Sequence, residues 1–170
     1  YPGVHVTRLD QTEASICDGD ASCRTTRGRF QYDGFGNVTR TDELGDVGVI
    51  GDERTTETTY AVNETAWIVG TPSLLRTLDA GGALVAQRRF AYDAAGRLTK
   101  EEEWLKTSAG DTWLPTSLTY DAYGNVLTVT DALNRTTRNT YDATGTYLVK
   151  IENVLGHTRQ LEYDPRFGVV

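Results

Sequence analysis

The chain has 170 residues, 24 acidic side chains against 17 basic ones, a formal net charge of −7 and 38% hydrophobic content. One domain is the natural expectation at that length, with enough apolar material to build a core. The acidity leaves no basic face for nucleic acid or for an anionic membrane surface, and no apolar run approaches the ~20 residues of a membrane helix.

In chain order, the first 27 residues read as a lead-in segment. It starts at Tyr1 without a signal-peptide pattern, and the chain holds no methionine, so a segment of a longer polypeptide is expected. Its chemical feature is Cys17-Asp18-Gly19-Asp20-Ala21-Ser22-Cys23. That spacing admits a disulfide closing a small loop, which suits a secreted protein, and it equally admits two free thiols. Two cysteines without neighbouring histidines fall short of four zinc ligands. Asp18 and Asp20 faintly resemble a calcium loop that lacks its glycine and final glutamate. No metal and no cofactor are expected.

From residue 28 onward the chain repeats itself. Tyr32-Asp33-Gly34-Phe35-Gly36 returns as Tyr92-Asp93-Ala94-Ala95-Gly96, as Tyr120-Asp121-Ala122-Tyr123-Gly124 and as Tyr141-Asp142-Ala143-Thr144-Gly145. Tyr163-Asp164 opens a further copy with its glycine displaced to Gly168, and Tyr60 is a degenerate copy without the aspartate. A second signature alternates with the first: Asp131-Ala132-Leu133-Asn134-Arg135-Thr136 matches Asn153-Val154-Leu155-Gly156-His157-Thr158, with Asp42–Gly45 and Asp79–Gly82 as relatives. Two turn signals per unit, separated by short stretches rich in Thr, Val, Leu and Arg, read as strand, turn, strand, turn. Residues 101–106 could make one helical turn, but after such a turn an extended hairpin arm is the better reading.

The turn chemistry is specific. In Tyr-Asp-x-x-Gly the aspartate takes position i of a type I turn and accepts a hydrogen bond from the backbone two residues on, while glycine takes the positive φ that returns the chain. The tyrosine ends the incoming strand. Phe30, Phe90, Leu118 or Leu161 lies two positions earlier on the same face, so an aromatic-apolar stripe with Tyr32, Tyr92 and Tyr120 largely buried in a shared interior is expected. Asn139 breaks the stripe before Tyr141.

These residues resemble the Rhs/YD-repeat family, found in bacterial Rhs toxins, the B and C components of insecticidal ABC toxin complexes and animal teneurins. The resemblance covers residues 28–170, about five repeats, most clearly 114–168, and the run Tyr60 to Pro72 is most similar to the longer repeats of B components. It implies an all-β fold in which consecutive antiparallel β-hairpin (YD) repeats form a curved β-sheet strip that spirals into a hollow shell. A chain this short would be one segment of the wall. The implied partners are the remainder of the parent polypeptide and an encapsulated toxin domain, and the implied location is secreted or at the cell surface, as part of a larger bacterial protein.

No catalytic residue is expected. Asp33, Asp93, Asp121, Asp142 and Asp164 are tempting carboxylates for glycosidase chemistry, yet they hold the same place in every unit, and chemistry is needed once whereas a turn is needed in each repeat. His157 fills the place of Arg135 in the preceding unit, His5 stands near the start, and no motif joins either to Cys17 or Cys23 as a nucleophile pair. Asp164-Pro165-Arg166-Phe167-Gly168 resembles the Asp-Pro-x-Gly-Leu self-cleavage element of Rhs shells, but a turn lengthened by one residue accounts for it. The competing reading is an extracellular carbohydrate- or receptor-binding module, in which Trp67, Trp104 and Trp113, which fall outside the repeat motif, would stack on surface glycans. Asn37, Asn63 and Asn134 fit the glycosylation sequon.

Overall fold

The computed structural model describes residues 6–19, 22–164 and 166–170. His5, Asp20 and Pro165, named above as candidates, lie outside them. The fold is all-β: twelve antiparallel strands pair in the order in which they occur in the chain, and no helix is present among the described residues. Among the described residues no helix is long and apolar enough to cross a membrane. The chain divides into two compact units, one ending at Arg89 and one beginning at Phe90.

The first unit contains β1 (Gln11–Cys17), β2 (Cys23–Tyr32), β3 (Val38–Asp46), β4 (Arg54–Asn63), β5 (Ile68–Asp79) and most of β6 (Leu84–Tyr92). The boundary of the lead-in at residue 27 falls inside β2. A disulfide joins Cys17 to Cys23, which oppose each other at the end of the β1–β2 ladder. β-branched threonines dominate β4 (Arg54-Thr55-Thr56-Glu57-Thr58-Thr59-Tyr60), and residues of this shape pack well on a pleated surface. Arg40, Glu57 and Arg76 face one another across β3, β4 and β5, and Glu57 takes both guanidinium groups at 3.1 and 3.3 Å. Opposite charges directly across a ladder favour the observed register over a slipped one.

The second unit contains the end of β6, then β7 (Leu98–Thr107), β8 (Gly110–Tyr120), β9 (Val126–Thr130), β10 (Thr136–Tyr141), β11 (Leu148–Glu152) and β12 (Thr158–Gln160). Residues 101–106 lie in β7 as an extended arm, with Trp104 directly opposite Trp113 of β8. Threonine pairs bridge the next ladders: Thr119 and Thr128 hydroxyls are 2.6 Å apart, and Thr130 and Thr136 are 2.9 Å apart. Beyond β12, Asp164 and Val169 form an isolated bridge, and Tyr163 stacks on Tyr147 with ring centroids 4.8 Å apart.

Two expectations need correction. No described side chain is fully buried. Tyr32, Tyr92 and Tyr120, like Phe30, Phe90, Leu118 and Leu161, are half-buried. The alternation places them as a stripe, but a stripe becomes a core only when a second layer covers it. Asp42 does not begin a turn either: it sits within β3, where its carboxylate accepts from Arg40 Nε at 2.9 Å and from the Thr55 hydroxyl at 2.7 Å. The turn comes later, where the Val49 N–H bonds the Asp46 carbonyl at 2.9 Å.

Gly124 tests the turn geometry cleanly. Its φ is +92°, and an added Cβ would meet nothing closer than Arg97 Cδ at 3.9 Å, so a substitution there acts through the backbone alone. Gly124→Val is expected to cost about 1–3 kcal/mol in a urea titration, with Gly124→Asn costing clearly less because asparagine tolerates this region. Equal midpoints for both variants and the parent would contradict the turn.

Candidate functional site

The repeated tyrosine and aspartate act on different parts of the sheet. Four ladders part before a turn in the same way. Their last pairs are Gln11 with Arg29, Arg40 with Glu57, Lys100 with Ser117 and Thr128 with Arg138. Two residues before the first member of each pair is a carbonyl, and three residues after the second is a tyrosine whose hydroxyl donates to it. These bonds are Tyr32 to Leu9 (2.8 Å), Tyr60 to Val38 (2.9 Å), Tyr120 to Leu98 (2.6 Å) and Tyr141 to Val126 (3.3 Å). A phenol is long enough to cross the widening gap and polar enough to satisfy a carbonyl that has lost its ladder partner.

At the same four tyrosines the register shifts on the opposite side. Tyr32 pairs with Val38, Tyr60 with Pro72, Tyr120 with Val126 and Tyr141 with Leu148, leaving Thr39, Ser73, Leu127 and Val149 as the extra residues of bulges. A bulge raises local twist and re-aims the flanking side chain. Nothing in the spacing of tyrosines announces these bulges.

The aspartate closes the turn that follows. Asp33 Oδ1 accepts the Phe35 and Asn37 N–H groups, both at 2.9 Å, and Oδ2 accepts the Asn37 side-chain amide at 2.9 Å. Asp121 repeats this with Tyr123 and Asn125, and Asp93 does so with Ala95 and Arg97, whose Nε takes Oδ2 at 2.7 Å. Asp142 spans one residue more, taking Thr146 and Tyr147 N–H groups and the Thr144 hydroxyl. Asp164 accepts from Arg166, and the Gly168 N–H returns to the Asp164 carbonyl at 2.8 Å. Gly36, Gly96, Gly124 and Gly145 each donate to the carbonyl of their aspartate, so these are three- or four-residue hairpin loops built on a type I turn.

The second signature makes the same turn, which the sequence reading did not recognise. Asp131 Oδ1 takes the Leu133 and Arg135 N–H groups, Asp79 takes those of Gly81 and Ala83, and Asn153 takes those of Leu155 and His157. Asn134 stands in the glycine's place at φ +58°. The shared Asp/Asn-x-x-Gly/Asn spacing was the available signal. The residue after the glycine also ties neighbouring turns together: Asn37 Nδ2 donates to the Val69 carbonyl at 2.7 Å, Asn125 Nδ2 to Gly145 at 2.7 Å, and Arg97 Nη1 to Asp121 at 3.2 Å. Asn37 Nδ2 uses its two hydrogens on Asp33 Oδ2 and the Val69 carbonyl, so glycosylation there, which replaces one hydrogen, would break at least one of these bonds.

These contacts set the acid–base character. The Asn37 amide holds the Asp33 carboxyl below its ordinary value, as the Arg97 N–H does for Asp93, the Arg135 guanidinium for Asp131 and Arg166 for Asp164. At Asp121 desolvation pushes upward and the Asn125 and Tyr123 donors outweigh it. Asp142 is lowered to about 2, first by the Thr144 hydroxyl and then by the Tyr147 N–H. A glycosidase general acid needs the opposite shift. His157 Nδ1 lies 3.5 Å from Asn153 Nδ2 at the polar turn position, and Cys17 and Cys23 are bonded to each other. Among the described residues no three His, Cys, Asp or Glu side chains gather as a metal site.

No protein-family model and no curated protein sequence matches the chain. Solved structures similar to it include a crystal structure of a TcdB2–TccC3–Cdc42 complex, at 21% identity and a TM-score of 0.42, aligned over 92% of this chain and 10% of that one. Another is a TccC3 point variant of the Photorhabdus luminescens Tc holotoxin pore, at 22% identity and a TM-score of 0.41, over 91% of this chain and 10% of that one. The chain thus spans about a tenth of the length of the chains it aligns with.

Two measurements probe this arrangement. Tyr120→Phe keeps the ring and removes the bond to Leu98, and should lower stability by about 1 kcal/mol in chemical denaturation. The depressed Asp142 carboxyl stabilises the fold fully above its ordinary value of 3.8 and loses that contribution as pH falls toward about 2. The melting temperature should therefore drop through that window. Asp142→Asn, which removes the titrating group and keeps an acceptor oxygen, should flatten the acid limb; an unchanged limb would contradict the assignment.

Proposed function

We propose that the chain is a wall segment of an Rhs/YD-repeat β-shell, with a structural rather than a catalytic task. The observation that carries this reading is the fourfold recurrence of one device: a tyrosine hydroxyl on the carbonyl of a splayed ladder, at the same offset each time. A catalytic constellation has no reason to recur, whereas a sheet extended by successive hairpins needs the same closure at each one. The turn carboxylates support it too, since their acceptor sites are occupied by local N–H groups and neighbouring side chains.

In this reading the remaining repeats of a parent polypeptide continue the sheet, and the enclosed partner is a toxin domain of a secreted or surface-displayed assembly. The half-buried stripe residues, Phe30 and Leu118 among them, gain their cover from that larger structure.

Cryo-electron microscopy of the full-length gene product tests the proposal. Residues 11–160 are expected as consecutive strands of a closed wall around density belonging to another domain. A full-length product in which β1 and β12 end as solvent-exposed edges, with no enclosing wall around another domain, would overturn it.

A further inference from the structure

Trp67 is a tryptophan in a glycine's conformation. Its φ is +53°, and among the described residues the only other non-glycine at positive φ is Asn134, whose short polar side chain suits that region. The Trp67 N–H donates to the carbonyl of Glu64, three residues back, as the Gly36 and Gly124 N–H groups do in their turns. The position thus combines left-handed backbone, unfavourable for a bulky residue, with an indole that is 73% exposed. Backbone strain held at an exposed aromatic residue points to a use for the ring outside the fold.

The ring is not alone. Phe35 meets it edge to face, with centroids 6.3 Å apart and planes at 83°, and is itself 43% exposed. The two rings form a floor and a wall. Gly34 and Gly36 flank Phe35, and a methyl group on either would meet nothing within 4 Å, so the turn that carries the ring is uncrowded. Glu64 and Thr65, both exposed, stand in the same turn as Trp67. Neither turn, residues 33–37 or 62–70, holds a lysine or arginine, which disfavours an anionic ligand. Trp104 and Trp113, by contrast, are half-buried against each other's strands.

We propose that Phe35 and Trp67 form a stacking site for an uncharged sugar. The apolar C–H face of a pyranose lies on the indole, Phe35 bounds its edge, and Thr65 and Glu64 bond its hydroxyls. The assignment is independent of the shell reading.

The test uses the intact chain, an array of neutral oligosaccharides and titration calorimetry with the best-bound glycan. Trp67→Gly removes the indole and supplies the residue that the backbone favours. It should leave the melting temperature equal or higher while weakening glycan binding by about tenfold or more. Phe35→Ser should weaken binding and leave it saturable. The proposal is overturned if no neutral glycan binds saturably, if Trp67→Gly binds as the parent does, or if that variant melts several degrees lower, which would make the indole a structural prop. Binding confined to a protein or to a quaternary ammonium compound such as choline would overturn it as well.

Discussion

Where two antiparallel strands part ahead of a hairpin turn, the carbonyls at the splayed end lose their ladder partners while the half-covered sheet denies them full hydration. An unsatisfied carbonyl in that setting costs as much as a lost hydrogen bond. The tyrosine hydroxyls of Tyr32, Tyr60, Tyr120 and Tyr141 answer that cost, the last sharing the Val126 carbonyl with the Asn139 side-chain amide at 3.0 Å, and the rest of the unit is arranged around them. The bulge after each one sets the twist, and the aspartate one position after Tyr32, Tyr120 or Tyr141 closes the turn. Tyr60 shows which half of the motif is separable. Its turn has no aspartate and relies on Asn63, whose side chain accepts from the Ala66 N–H at 3.1 Å, yet the hydroxyl bond to Val38 is kept.

The strands and turns were readable because their causes are local. Asp33 and Gly36 lie three residues apart, and an aspartate's reach to the N–H two residues on is a property of that segment alone. The tyrosine's partner was not readable for the opposite reason: it is the main-chain carbonyl of Leu9, Val38 or Leu98, 22 or 23 residues upstream, and a carbonyl has no side-chain identity to mark it. The degree of burial failed on different grounds. Alternation assigns Phe30 and Tyr32 to one face but says nothing of what lies over that face. Asp42 misled because Leu44-Gly45 imitates the second signature inside a strand. The equivalence of the two signatures was missed because Asn134 and Asn153 replace the residues by which the first is recognised.

The acidity of the chain follows from the same geometry. The turn aspartates Asp33, Asp93, Asp121, Asp131, Asp142 and Asp164 are held as anions by local donors, so each of these hairpins adds a stabilised negative charge, whereas the turns at Asn63 and Asn153 add none. Some of that charge is offset locally, by Arg97 on Asp93 and by Arg135 on Asp131, and on the strands by Arg40 and Arg76 around Glu57. These exposed pairs contribute little each; only those around Glu57 span ladders, and they oppose register slip. Arg97 adds a second contact, with its guanidinium 5.0 Å from the centroid of the Tyr120 ring, so one side chain ties a turn aspartate to the next tyrosine.

A sheet in which none of the described side chains is fully buried has an energetic consequence. Hydrogen bonds of the ladders and turns each yield a modest net gain, and the apolar stripe returns only part of what full burial would. Stability in such a design rises with each neighbour that extends a ladder or covers a face. The offsets that place Tyr120 on Leu98 and Tyr141 on Val126 can be repeated without limit, because each hairpin offers the next one a fresh carbonyl and receives a hydroxyl in return. A compact binding module would close its edges and concentrate its polar groups at one place. Here the polar groups are distributed turn by turn, at Asp33, Asp93, Asp121 and Asp131, and not gathered at one place.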